Sequence, residues 1–258
     1  MKLGIEGRVA LVLAGSDGIG LATAQGLHEE GAKVAICARN RQRLVEAAQT
    51  MPGSLALQAD VMNKADIDAV VADVANALGP IDILINNAGG PRAGALESLY
   101  DEDWQAAFDL TLMSAVRATQ LVLPAMREKR WGRIINISSY GVKHPVPGLS
   151  LSNSIRPAVL GWAKTLADQV ACDNILVNTV CPGWTRTARM DTLLAQRAEK
   201  EELSESDLQG TITRDIPLGR MGEADEIAAL AVFLASDAAS YITGTAIQVD
   251  GGLVRGLM

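Results

Sequence analysis

Leu13-Ala14-Gly15-Ser16-Asp17-Gly18-Ile19-Gly20 joins a branched, apolar run at Val9–Leu13 to a helical run at Gly18–Glu30 that Gly31 stops. A strand entering a helix through glycines brings backbone N–H groups to the helix N-terminus, where a phosphate binds. A tight turn alone also calls for glycine, so the context carries the reading. Outward from this stretch the same alternation repeats. Strands are predicted at Lys33–Cys37, Ser54–Gln58, Asp82–Ile85, Arg133–Ile137, Ile175–Val180 and Ala246–Val249. Helices are predicted at Arg41–Gln49, Lys64–Leu78, Glu102–Glu128 (with Pro124 kinking its last turn), Ser154–Val170 and Glu223–Leu234. Strand–helix alternation at this spacing gives right-handed crossovers and a parallel sheet. The predicted fold is α/β: a doubly wound, Rossmann-like parallel sheet whose ligands bind at the carboxyl ends of the strands.

No repeat or linker divides the 258 residues, so residues 1–258 read as one dinucleotide-binding domain. Only 184–214 breaks the rhythm. It is long and polar, with helical pieces at Met190–Lys200 and Glu205–Leu208, and it reads as a segment covering the substrate. Trp184, Met190, Leu193 and Leu194 either line an apolar pocket there or pack the segment down. The composition is 48% hydrophobic but only 3% aromatic, which makes the core aliphatic, as buried parallel strands require. The net charge of −7 argues against nucleic acid as a ligand. The apolar runs are strand-sized, and no basic start precedes an apolar stretch, so a soluble, cytoplasmic protein without a membrane partner is expected. Cys37 and Cys181 lie in apolar runs and, with Cys172, read as free thiols of a reducing compartment; no Cys/His spacing suggests a metal site.

The glycine-rich turn and several later motifs together resemble the short-chain dehydrogenase/reductase superfamily over nearly the whole chain, and in particular its 3-oxoacyl carrier-protein reductases. In register, Leu13 and Ala14 replace the family's Thr and first Gly, while Gly18 and Gly20 match. Asp60-Val61 follows the third strand, where the family contacts adenine. Asn87-Ala88-Gly89 follows the fourth, where a similar loop packs on the cofactor. Pro182-Gly183, Thr185 and Thr187 follow the sixth, where the nicotinamide amide is held. Tyr241-Ile242-Thr243-Gly244 and Val249-Asp250-Gly251-Gly252 match the C-terminal signature. The resemblance implies cofactor contacts from Gly15, Ser16, Asp17, Gly18, Ile19 and Gly20 as well. The second strand ends without the carboxylate that marks NAD sites. Arg39 offers a fork for a 2′-phosphate, whereas Asp17 argues the other way. NADP(H) is favoured over NAD(H).

The family's catalytic serine, tyrosine and lysine map onto Ser139, Ser152 and Arg156, and its helix asparagine onto Thr111. Of these four, only the serine is kept. An aliphatic hydroxyl is a poor acid near neutrality, and an arginine stays charged, so the Ser152/Arg156 pair suits binding and polarisation better than proton transfer. Arg156 can also hold the cofactor ribose. Three residues after Ser139 could replace the tyrosine as acid: Tyr140, Lys143 and His144. The simpler alternative is that Lys143 and His144 face solvent. The expected function is NADP(H)-dependent hydride exchange with a ketone or secondary alcohol, through an atypical proton donor. Two alternatives stay open: a non-catalytic dinucleotide-binding protein, acting as sensor or partner subunit, and a non-redox enzyme on the same fold. The resemblance also implies a homotetramer or homodimer.

Overall fold

The strands run in chain order as β1 (Val9–Val12), β2 (Lys33–Ala38), β3 (Leu55–Gln58), β4 (Ile83–Asn86), β5 (Gly132–Ile137), β6 (Ile175–Pro182) and β7 (Ala246–Val249). In the computed structural model, which describes residues 2–201 and 204–256, they form one parallel sheet ordered β3-β2-β1-β4-β5-β6-β7. The order reverses between β1 and β4, and a crevice opens at such a switch point above the strand ends. The expected doubly wound sheet is therefore present.

The helices are α1 (Gly18–Glu29), α2 (Arg41–Gln49), α3 (Lys64–Leu78), α4 (Asp101–Phe108), α5 (Ser114–Lys129), α6 (Ser150–Val170), α7 (Ala188–Glu201), α8 (Glu205–Asp215) and α9 (Ala224–Leu234). Helices α1, α2 and α9 bury Ala24, Leu27, Leu44, Ala47 and Ile227 on one face of the sheet, against Val12, Ile36 and Ile85. Helices α3, α5 and α6 bury Val70, Val74, Ala118, Val122 and Ala163 on the other, against Leu11, Leu84 and Ile134. Strands covered on both faces need no polar alternation, which is why β1 and β4 are buried along their whole length. Asp17, Asn40 and Asn63 cap α1, α2 and α3 through side-chain oxygens, each contributing about 1 kcal/mol.

Two helix expectations need correction. The run expected at Glu102–Glu128 is broken by a π-helical turn at Asp109–Met113, while Pro124 sits within α5. Such a turn inserts an extra residue and rotates the helix beyond it. Here it leaves Thr111 buried. Helix α6 starts at Ser150 rather than Ser154, which puts Ser152 in its first turn. By length and composition Asp101–Lys129 could cross a bilayer. It instead lays Ala118, Val122 and Met126 on the sheet and pairs Arg117 with Asp109 at 2.8 Å, as a core helix does.

Both helical pieces of 184–214 are longer than expected, and residues 202 and 203 of this segment lie outside the described residues. Helices α7 and α8 enclose a small core of their own, in which Met190 and Leu194 meet Leu208, Ile212, Ile216 and Met221.

Candidate active site

The glycine-rich turn is fixed by contacts that leave no room for side chains. A Cβ on Gly15 would lie 2.9 Å from Ile36 Cγ2, and one on Gly20 would lie 2.5 Å from both the Ala14 carbonyl oxygen and Asn87 Nδ2. Asn87 Nδ2 donates to that same carbonyl at 3.1 Å, which ties the end of β4 to the turn. Gly15 N–H donates to the Cys37 carbonyl, tying in β2. Ala14, where the resemblance expects a glycine, adopts φ +47°, a left-handed conformation that costs a residue with a Cβ roughly 1–2 kcal/mol. The turn geometry is thus kept without the glycine. Ser16 is half-buried, and Ile19 packs partly against the core.

Asp17 accepts from Gly18 N–H at 2.7 Å and holds Arg43 NH1 at 3.0 Å. Its charge is therefore paired, which weakens the argument that it opposes a phosphate. Sequence reasoning missed Arg43. It lies in the first turn of α2, and only the packing of α2 beside the turn brings it to Asp17. Arg39 is 73% exposed, with its closest carboxylate, Asp60, at 3.9 Å. Asp60 Oδ1 accepts from Met62 N–H and shapes the turn after β3, whereas Val61 is in the core. Gly89 faces open space. Pro182 is buried, and a Cβ on Gly183 would strike Asp250. Thr185 Oγ1 donates to the Gly183 carbonyl, and Thr187 packs over Gly18, so the entry to α7 touches the glycine-rich turn.

At the ends of β5 and β6, Ser139 Oγ accepts from Gly141 N–H at 3.0 Å. Asn153 accepts from and donates to Val146 through its side-chain amide, which clamps the intervening loop to α6. Ser152 and Arg156, four residues apart, share one face of α6. Arg156 NH1 donates to the carbonyls of Ile137 at 3.1 Å and Ser138 at 2.9 Å. Desolvation pushes the Arg156 guanidinium down to about 10, helped by the like charge of Arg189 and opposed by Cys181. Burial raises the Cys181 thiol to about 11, against the pull of Lys143 and then Arg156. Lys143 and His144 are exposed, as the simpler alternative has it, although Lys143 Nζ also reaches Gln248 Oε1 at 3.3 Å. Tyr140 is buried with its ring tilted on Trp184, centroids 5.8 Å apart.

Beneath these groups lies a cavity of about 10 Å³, close to what one water needs, lined by Asn86, Thr111, Ser138 and Arg156 among others. Asn86 Oδ1, Thr111 Oγ1 and Ser138 Oγ are buried there without partners among the described residues. A groove of about 480 Å³ opens beside α7 and α8, where Met190 and Leu194 share the lining with Asp191, Gln209 and Arg186. Of the four apolar residues read as either pocket lining or packing, Met190 and Leu194 reach the groove and also pack the segment.

A family model for enoyl-(acyl carrier protein) reductases matches residues 13–254. This chain is a short-chain dehydrogenase/reductase. It is similar to the 3-oxoacyl-[acyl-carrier-protein] reductase of Thermotoga maritima, with 37% identity over 97% of this chain and 99% of the relative. Among solved structures, L-sorbose reductase from Gluconobacter frateurii complexed with NADPH and L-sorbose superposes with a TM-score of 0.94 at 34% identity, covering 100% of both chains. A single-site variant of the actinorhodin polyketide ketoreductase, solved with NADPH, gives 0.91 at 35% identity, covering 95% of this chain and 97% of that one.

Within this short-chain dehydrogenase/reductase, Arg189 is a second residue that sequence reasoning missed. Its NH2 donates to the Pro91 carbonyl at 2.9 Å, and its guanidinium lies where a side chain on Gly90 would be. No sequence motif places α7 over the loop after β4, so nothing in the linear chain pointed to it.

Proposed function

We propose that this protein is an NADP(H)-dependent oxidoreductase that moves a hydride between nicotinamide and a ketone or secondary alcohol. The observation that carries this reading is its likeness, from end to end, to ketone reductases solved with NADPH. The turn at Gly15–Gly20 fits a pyrophosphate, since its glycines keep the backbone bare. Arg39 and Arg43 would hold a 2′-phosphate, Asp60 and Val61 the adenine side, and Asn87, Ala88 and Gly89 the wall of the cleft. Pro182, Gly183, Thr185 and Thr187 would hold the nicotinamide amide, and Arg156 the ribose. The bound cofactor supplies or accepts the hydride.

Ser139 and Ser152 carry the hydroxyls that orient the carbonyl oxygen. Arg156 holds a fixed positive charge beside Ser138, where negative charge develops on that oxygen. With a pKa of about 10 it stays charged at neutral pH, so it polarises and does not shuttle protons. The proton comes from Lys143 Nζ, which exchanges with solvent and acts electrostatically on Cys181 at the end of β6. The alternative donor Tyr140 is buried, with its ring tilted on Trp184. We read residues 184–214 as the segment over the substrate, and the protein as a cytoplasmic homotetramer or homodimer.

Nicotinamide absorbance, followed with purified protein and a panel of ketones, tests the reading. Turnover reduced roughly 10²-fold by Lys143→Met but little changed by Tyr140→Phe is expected. The reverse pattern would move the proton to Tyr140. NADPH binding without turnover of any ketone would favour the binding-protein reading, for which the lost tyrosine and lysine speak.

A further inference from the structure

We propose that the substrate is an oxo or hydroxy acid, whose carboxylate is held by the Arg189 guanidinium between the loop after β4 and the end of β5. This rests on the reductase reading and narrows its substrate class. Three cations converge on this end of the cleft. Arg156 lies at the Ser138 carbonyl, Lys143 at Gln248, and Arg189 at the Pro91 carbonyl. Arg156 and Arg189 are close enough for the charge of Arg189 to disfavour that of Arg156. None of the three has a carboxylate partner among the described residues, although the chain as a whole carries −7. Asp250 acts on Cys181 at this end, but its two oxygens already accept from Gly252 and Val254 N–H. Arg189 spends one bond on a neutral carbonyl, which leaves the rest of its planar fork for a ligand. Its residue remains solvent-exposed, although neighbouring atoms desolvate it enough to lower its pKa. Unpaired cations that repel one another in a cleft are relieved by an anion, and a carboxylate next to the reacting carbonyl supplies one. Thr187 packs over Gly18 of the glycine-rich turn, whereas Arg189, two residues later, packs on Gly90 and bonds the loop after β4.

Calorimetric binding of 2-oxobutanoate, 3-oxobutanoate and 4-oxopentanoate, each against its methyl ester, tests this with and without saturating NADP(H). At least one acid is expected to bind about tenfold tighter than its ester. Arg189→Gln should abolish that preference while NADPH affinity stays within about twofold, and Arg189→Lys should keep part of it. No acid preference in the wild type, or an undiminished preference in Arg189→Gln, would overturn the proposal. A matching loss of NADPH affinity would reassign Arg189 to a cofactor phosphate and overturn it too. The readout is binding, so failure of the reductase reading looks different: an acid binds, yet no NADPH is consumed.

Discussion

The two ends of the cofactor cleft both depart from the residues the resemblance leads one to expect, with different consequences. At the glycine-rich turn, Ala14 stands where the resemblance expects a glycine, and the backbone has a left-handed conformation at φ +47°. The substitution adds one methyl and no polar group, so the cost is local strain. At the β5–α6 end, Ser152 and Arg156 stand where the resemblance expects a tyrosine and a lysine. On the proposed reading that change removes an acid, and the guanidinium in its place donates twice to backbone carbonyls. A turn tolerates a methyl because geometry is all it contributes. A proton-transfer site does not tolerate an exchange of functional groups without changing its chemistry.

The comparison breaks first where crowding is tightest. Gly20→Val would force a Cβ against the Ala14 carbonyl and Asn87. It is expected to cost roughly 2–3 kcal/mol, a fall in Tm of roughly 5–10 °C by calorimetry, and to abolish NADPH binding. Unchanged NADPH affinity would show that the turn is not the pyrophosphate site. Next comes Arg156→Met at the other end. It strips donors from the Ile137 and Ser138 carbonyls and is expected to lower kcat about 10²–10³-fold. Its pH profile sharpens the point. Burial pushes the guanidinium pKa down to about 10, which still leaves its charge present throughout the neutral range. The wild-type advantage over Arg156→Met is therefore expected to stay level between roughly pH 6 and 9.

The smallest effect belongs to Ala14→Gly. Relief of the left-handed strain is expected to add about 1 kcal/mol, offset in part by glycine's greater freedom when unfolded. A rise in Tm of no more than roughly 2–4 °C, with NADPH affinity unchanged, would bear out a purely local cost. A large gain in affinity would show that the methyl distorts the phosphate site.

Much of this was legible in the sequence because it depends on local pattern. Strand and helix types followed from apolar runs and their stops, and the sheet followed from their alternation. Ser152 and Arg156 were legible as neighbours on one helix face because their spacing of four lies within α6. The features that escaped depend on contacts between distant segments. The π-turn at Asp109–Met113 has no propensity signal. It belongs with a polar cavity assembled from β4, β5 and α6. Arg43 and Arg189 are ordinary surface arginines in the linear chain, and only helix placement brings them to Asp17 and to the loop after β4. Pairing of Asp17 with Arg43 likewise altered the charge argument at the cofactor's adenosine end.

The most direct test of redox chemistry at the altered end uses NADPH carrying deuterium at the transferable position of nicotinamide C4, mixed with the wild-type protein and a ketone it binds. Mass spectrometry of the product should find the label on the carbinol carbon, at a rate that Arg156→Met depresses. Tight NADPH binding with no label in the alcohol would contradict the account.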